Sequence, residues 1–370
     1  MKFAAEFRDR ALADAIVSNI RKSCRGKWSL MEFCGTHTVA VFRHGLRSLL
    51  PEGVRLVSGP GCPVCVTPKS EVDRALSLCD VEGGIVATYG DLVKVPGSGN
   101  NLAGKRALGA DVRVVYSSYD AVEIARRVPG RPVFFVAIGF ETTAPGTAAA
   151  IMRADSMGLQ NFFVLCLHKR TPPVVQALLE MGGGAQGFIC PGHVCAIIGA
   201  RPFEPIARDW GRPCVISGFE PADVLQAILL LVRQLEEGRA SVEIEYSRGV
   251  PYEGNSRALD AMDEVFSRAD SEWRGLGMVG GSGMKLRERF ARFDAARFVD
   301  PGLESLPDPP GCKCGDVLRG ELAPALCPLF GRLCTPENPV GPCMVSSEGS
   351  CAAYYAYGRE GGAPDLERLE

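Results

Sequence analysis

The chain has 370 residues, with 41 Lys+Arg against 43 Asp+Glu and a formal net charge of −2. That balance argues against a general nucleic-acid binder, which carries a basic excess; 46% hydrophobic and 23% charged residues are the proportions of an ordinary globular protein. The length suggests two or three domains, and the longest apolar stretch near a helix centre, Ala227 to Val232, is far short of a membrane span.

Residues 3–22 have the helical spacing of Phe, Leu, Ile and Val, and a short apolar run from Trp28 to Phe33 leads into Cys34-Gly35-Thr36-His37. A helical pattern over 39–50 and a strand over 54–57 follow, the strand ending at Gly59-Pro60-Gly61-Cys62-Pro63-Val64-Cys65. The alternation continues with a helix at 71–78, a strand at 84–88, a helix at 120–127, a strand at 133–138 and a helix at 144–157. A strand at 162–167, a helix at 174–181, a strand at 187–189, a short helix from 197, a strand at 214–217 and a helix at 221–237 complete it. Such alternation predicts an α/β protein with two doubly wound parallel-sheet units, separated near 115–130 or joined by a later return crossover. The expected division is 1–120, 121–240 and 241–370, with the N-terminal helix free to pack elsewhere. Beyond Gly238 the pattern loosens to a helix pair (258–269 and 285–295) around the glycine-rich 273–283, then a Pro/Gly-rich stretch over 301–342.

The unusual count is 15 cysteines: nine in residues 1–214, none in 215–311 and six from Cys312 to Cys351. Met1 to Arg8 is charged and helical with no apolar signal-peptide core, so a cytoplasmic location is expected. Clustered cysteines in that reducing compartment point to metal or redox chemistry. Cys312, Cys327, Cys334 and Cys351, with Cys314 and Cys343 left over, suit a tetrahedral zinc or a [4Fe–4S] cluster; the wide spacing without tight knuckles fits the cluster better. Cys62-Pro63-Val64-Cys65 is a C-x-x-C after a strand, suited to a redox dithiol or transient ligand, the other reading being half a zinc site with Cys34 or Cys79. Cys34 and His37 pair a thiol with an imidazole, suited to iron or zinc or to a nucleophile with its base.

Two apparent nucleotide motifs fail on context. Gly182 to Gly187 spells G-x-G-x-x-G, but between a helix and a strand, the reverse of the dinucleotide fingerprint. Gly99 to Lys105 nearly spells a P-loop, but Arg106 stands where Ser/Thr must meet magnesium. Glu141-Thr142-Thr143 and Pro191-Gly192-His193 each follow a strand, as do Cys34 and the Cys62/Cys65 pair. Ligands of open α/β sheets bind at the carboxyl ends of strands, so these four segments are expected to converge on one or two clefts. Thr142 and Thr143 are equally readable as helix caps, and His44 and His168 have no motif around them.

The segments Cys34 to Thr38, Gly59 to Cys65, Gly139 to Pro145 and Pro191 to Val194 resemble the HypD family of hydrogenase maturation proteins. So does the tail: Cys327-Pro328-Leu329-Phe330-Gly331, Cys334-Thr335-Pro336, Gly341 to Gly349 and Cys351 to Tyr355, the resemblance running from about Phe33 to Tyr357. It implies two Rossmann-like α/β domains plus a smaller iron–sulfur domain. The implied function is assembly of the Fe(CN)2CO group of [NiFe]-hydrogenases on a scaffold, with a small HypC-type partner and cyanide from a HypE-type carrier. By the same resemblance Cys34 would hold the iron with a partner cysteine, and Cys62 and Cys65 would be a redox-active dithiol. His37, Glu141, Thr142, Thr143, His193 and Glu348 would belong to the cleft. Cys312, Cys327, Cys334 and Cys351 would hold a [4Fe–4S] cluster, with Cys314 as rival first ligand. Cys195 stands where the family pattern has Ser, and Tyr246 to Val250 and Gly280-Gly281 also depart from it. Two other classes stay open: a cluster-dependent thiol-disulfide reductase and a zinc-stabilised adaptor.

Overall fold

Nine short strands, each parallel to its neighbours, form two sheets in the computed structural model, which describes residues 6–300 and 302–358. They are β1 (Trp28–Glu32), β2 (Val54–Ser58), β3 (Ile85–Thr88), β4 (Asp111–Val114), β5 (Val133–Gly139), β6 (Phe162–His168), β7 (Gly187–Pro191), β8 (Cys214–Ser217) and β9 (Val242–Ile244). The first sheet has the order β2-β1-β7-β8-β9 and the second β4-β3-β5-β6. The chain thus leaves the first sheet after β2, builds the second, and returns to place β7 beside β1. This is the return crossover; a boundary at residue 120 would fall between β4 and β5, inside the second sheet.

Local sequence explains most of these elements. Val133–Gly139 has no polar face and is buried along its whole length, as a strand covered by helices on both sides must be. The helices Ser118–Arg127, Ala144–Ser156 and Ser256–Val265 bury their apolar faces with β5 and β6 in one core that includes Phe135, Phe162 and Ile151. Each such large side chain contributes roughly 2–3 kcal/mol on burial. Helix Arg10–Ser23 packs through Ile16, Val17 and Ile20 with Pro221–Glu236 on the first sheet. Its start at Arg10 follows from Asp9, whose carboxylate accepts the Leu12 N–H at 2.9 Å; residues 3–5 of the expected helix lie outside the described residues.

Several expectations are corrected. The helix expected over 39–50 is two helices, Gly35–Arg43 and Leu46–Leu49, because Gly45 takes a left-handed φ of 60° between them. The short helix expected from 197 begins at Gly192, directly on the end of β7. β4 and β9 are strands where none was expected; both are edge strands too short and too mixed to show a period. The first helix of the expected pair ends at Val265, a hairpin of β10 (Phe266–Trp273) and β11 (Gly277–Leu286) takes its last turn and the glycine-rich link, and the expected second helix is a 3-10 segment at Glu288–Phe293. Phe266–Trp273 alternates in burial along its length, and left-handed Gly275 and Gly277 turn the chain back. The hairpin lies against helix Thr171–Glu180 and receives the Arg170 N–H on Ser282 O at 2.7 Å.

Candidate functional site

The carboxyl ends of strands from both sheets face one cavity of about 360 Å3. β1 contributes Cys34, the loop after β2 contributes Gly61, Pro63 and Val64, and the end of β3 contributes Tyr89, Gly90 and Asp91. β5 leads to Thr142 and Thr143, β7 to His193 and Val194, and the C-terminal segment adds Glu348. The four segments expected to converge therefore meet in a single cleft.

Cys34 sits half-buried at the start of helix Gly35–Arg43. Burial pushes its thiol up to about 12, while the backbone N–H groups of His37 and Thr36 pull it down. The thiol is therefore protonated at neutral pH, and binding a soft metal means displacing that proton. Two glycines make the geometry feasible. A Cβ at Gly61 would collide with Phe33 C and the Cys34 amide nitrogen, and one at Gly35 would collide with Glu348. Only bare backbone lets the loop after β2 and the C-terminal segment close over Cys34. Thr36 Oγ1 donates to Glu348 Oε1 at 2.8 Å across the same contact. Behind Cys34, buried Glu32 accepts the Cys34 N–H at 3.2 Å and the Thr38 hydroxyl at 2.7 Å, and desolvation lifts its carboxyl to about 7.

His37 is placed otherwise than a Cys-His pair suggests. Its ring is fully buried, lies outside the cavity lining and stacks on Phe219 at 4.7 Å, with Nε2 2.8 Å from Gly218 O. A carbonyl partner fixes the proton on Nε2, and burial lowers the imidazole to about 4, so it is neutral. His37 serves Cys34 through its amide and holds the Gly218 turn through its ring. Its Nδ1 is buried with no hydrogen-bond partner among the described residues. His193 does reach the cleft, exposed at its mouth, with its ring 3.9 Å from that of Phe219. Glu141 lies behind the lining: it is buried, and accepts the Thr171 N–H at 2.8 Å and the Thr171 hydroxyl at 2.7 Å. It anchors the turn that presents Thr142 and Thr143.

Cys62 and Cys65 are both buried free thiols one wall away from the cavity. Cys62 precedes the turn Pro63–Val66 and its sulfur accepts the Cys65 N–H at 3.3 Å. Cys65 has its thiol raised by burial and by contact with Cys343 and Cys62. Cys343, which the sequence leaves without a role, is the junction: its thiol touches Cys65, Cys314 and Cys351. Cys314 touches Cys312 in turn, and Cys351 has Cys334 and Cys327 as electrostatic neighbours. A Cβ at Gly341 would lie within 2.8 Å of the sulfurs of Cys312 and Cys314, so a glycine cradles that pair. The signal for Cys343 lies only in its proximity to Cys65, some 280 residues away in sequence, which no local pattern carries.

Among the described residues no three or more His, Cys, Asp or Glu side chains stand assembled as a ready metal-binding set. The donor chemistry nevertheless fits an iron–sulfur group: six thiols on short helices and irregular backbone, three of them in contact through Cys343 or one step from it. Also among the described residues, no helix is long and apolar enough to cross a membrane.

Comparison with known proteins follows the same residues. The family model HypD, described as "Hydrogenase formation hypA family", matches residues 11–358. The chain is 50% identical over 370 residues to the hydrogenase maturation factor HypD of Cupriavidus necator, covering 97% of this chain and 98% of that protein. It is 48% identical over 370 residues to the corresponding factor of Azotobacter vinelandii, with 97% and 98% covered. It is 44% identical over 353 residues to a putative hydrogenase expression/formation protein of Methanocaldococcus jannaschii, with 95% and 98% covered. A match of this length, carried through the cleft and the thiol-rich tail alike, places the chain in the HypD family of hydrogenase maturation proteins.

Proposed function

We propose that this chain serves hydrogenase maturation as a redox-active scaffold on which the Fe(CN)2CO group is assembled. A small HypC-type protein would supply the second thiolate, and cyanide would arrive from a HypE-type carrier. The observation that carries this reading is the placement of Cys34: a lone thiol on a cleft formed by two sheets, beside a separate, buried run of thiols. The iron is the cargo. Cys34 takes it by giving up its proton, and the amides of Thr36 and His37 favour the thiolate that results. Thr142, Thr143, His193 and Glu348 offer hydroxyl, imidazole and carboxylate groups around the cavity to orient polar diatomic ligands.

The buried dithiol has a different task. Cys62 and Cys65 interconvert with a disulfide by exchanging two electrons and two protons, and the contacts Cys65–Cys343–Cys314 give them thiol neighbours that lead away from solvent. Cys312, Cys327, Cys334 and Cys351 would hold a [4Fe–4S] cluster, which when bound supplies single electrons. Cys314 stays the rival of Cys312 for the first ligand position, because it contacts both Cys312 and Cys343. Burial of Cys62 and Cys65 disfavours the reductase alternative, because a protein disulfide cannot reach them without an opening of the cleft wall.

Infrared spectra of the anaerobically copurified complex with a HypC-type partner test the reading. Cyanide and carbonyl stretches are expected in the unaltered protein and absent in Cys34→Ala; their persistence in that variant removes Cys34 as ligand. Equal amounts of iron and acid-labile sulfide in the protein alone are expected from the cluster, and stoichiometric zinc without sulfide would favour the adaptor.

A further inference from the structure

A second cavity, of about 610 Å3, shares no lining residue with the Cys34 cleft and runs along the open edge of the first sheet. All five residues of β2 line it, with walls from the turn at residues 50–53 and from the segment at 317–324. It is a trough along a strand, with about twenty times the ~30 Å3 that one water occupies in the liquid.

The edge is chemically open. The Trp28 N–H donates to Gly53 O and the Gly59 N–H to Glu32 O, both at 2.7 Å, so residues 53, 55, 57 and 59 are the ones facing β1. In a parallel ladder the alternate residues face the other way. The Leu56 N–H and C=O therefore point into the trough, and no loop among the described residues takes either group. Unpaired edge groups of this kind are a template for an added strand.

The trough is also cationic. Lys27, Arg47 and Arg55 line it against the single carboxylate of Glu52, and none of the three cations forms a salt bridge among the described residues. Arg47 is the informative one. Its Nε is buried with no hydrogen-bond partner, and its guanidinium reaches Ser58 Oγ at 3.5 Å and lies 4.5 Å over the Phe42 ring. Buried Glu32 favours its charge without forming an ion pair, while Arg55 opposes it. A guanidinium kept out of water with an orphan donor is stabilised by a carboxylate that completes its fork.

We infer that the β2 edge docks an acidic, extended segment of a partner protein, which adds to the sheet through the Leu56 peptide group and sets carboxylates against Arg47, Arg55 and Lys27. A simple anion would satisfy Arg47 but would leave the Leu56 peptide group and most of the trough unfilled. The inference is independent of the iron reading, because no residue is shared between the two sites.

The test uses the full chain and a fluorescein-labelled synthetic peptide alternating glutamate and valine, read by fluorescence anisotropy. Binding is expected to weaken about tenfold or more on Arg55→Glu, an exposed position whose side chain forms no ion pair among the described residues. It is expected to be lost for a peptide alternating lysine and valine, and for the glutamate–valine peptide N-methylated at alternate amides. Hydrogen exchange should slow at Leu56 when the acidic peptide is bound. If Arg55→Glu fails to fold, the charge-reversed and N-methylated peptides carry the test on the unaltered protein. Equal binding of the N-methylated peptide, or of the lysine peptide, overturns strand addition. Saturable binding of inorganic phosphate with none of the peptide also overturns it and leaves a plain anion pocket.

Discussion

Cys34 and Cys65 follow equivalent strands of the same sheet, yet they occupy opposite chemical settings. Cys34 lines a cavity, stands beside a carboxylate and hydroxyls, shares that lining with no other cysteine among the described residues, and has buried Cys195 only as an electrostatic neighbour. Cys65 is sealed from solvent and touches Cys62 and Cys343. Both thiols are raised by burial, so acidity does not distinguish them. The difference is in neighbours: an isolated thiol beside open space can hold cargo, whereas a thiol among thiols can exchange electrons with them. One loop, from Gly59 to Cys65, brings the two settings within a few residues of each other because Gly61 lets it lie on the backbone of Cys34.

The sharpest way to break that contrast is to exchange the losses. Cys34→Ala should abolish the cyanide and carbonyl bands while the Cys62/Cys65 dithiol still titrates with two electrons in thiol trapping at controlled potential. Cys343→Ala should do the reverse: the bands form when reductant is supplied, but reduction of the Cys62–Cys65 disulfide slows about tenfold or more, because the contact between Cys65 and Cys314 is cut. If both variants lose both properties, the two settings act as one unit and the contrast fails.

Smaller effects sharpen the frame around the cleft. Glu141→Ala leaves the Thr171 N–H and hydroxyl without their acceptor in a buried place, and should cost about 2–3 kcal/mol in urea unfolding. His168 provides a pH signature from the second sheet. It is buried with Nε2 2.9 Å from Thr147 Oγ1, and desolvation lowers it to about 4, below the ordinary value near 6.5. A depressed histidine binds fewer protons folded than unfolded. Its contribution is therefore complete above about pH 6.5 and is lost as pH falls toward 4, about 3 kcal/mol across that window. His168→Gln should flatten the acid limb of the stability curve between those values without moving the cyanide bands. Thr36→Val, which removes the hydroxyl donated to Glu348, is the mildest: about 1 kcal/mol of stability, and a cleft whose C-terminal wall exchanges its amides faster.

Much of this architecture is legible in the chain itself. Runs such as Val133–Gly139 are apolar on both faces and so require a sheet covered on both sides, and the alternation with amphipathic helices requires parallel strands. Placing Cys34, Cys62, Glu141 and His193 directly after strands follows from sequence, and ligands of parallel sheets bind at the carboxyl ends of strands; that the ends of two separate sheets share one cleft does not follow from it. The cysteine spacing, likewise, sets the tail apart without any coordinates.

What tertiary structure alone decided is which partners those elements meet. The return of β7 to β1, which joins residues 28–58 to 187–244 in one sheet, depends on which edge offers an apolar surface to cover, and no local period records it. The ends of the two expected helices and the glycine-rich link between them form the hairpin at 266–286, whose extended form is supported by packing on Thr171–Glu180. The direction of the His37 ring was set by Phe219 and Gly218, residues far along the chain, and not by its spacing from Cys34. Cys343 acquired its place as the junction of the thiol run in the same way. Sequence determined which side chains follow the strands, because that is a matter of local periodicity; the tertiary fold determined which of them touch, because contact is decided by the burial of surfaces contributed from distant segments.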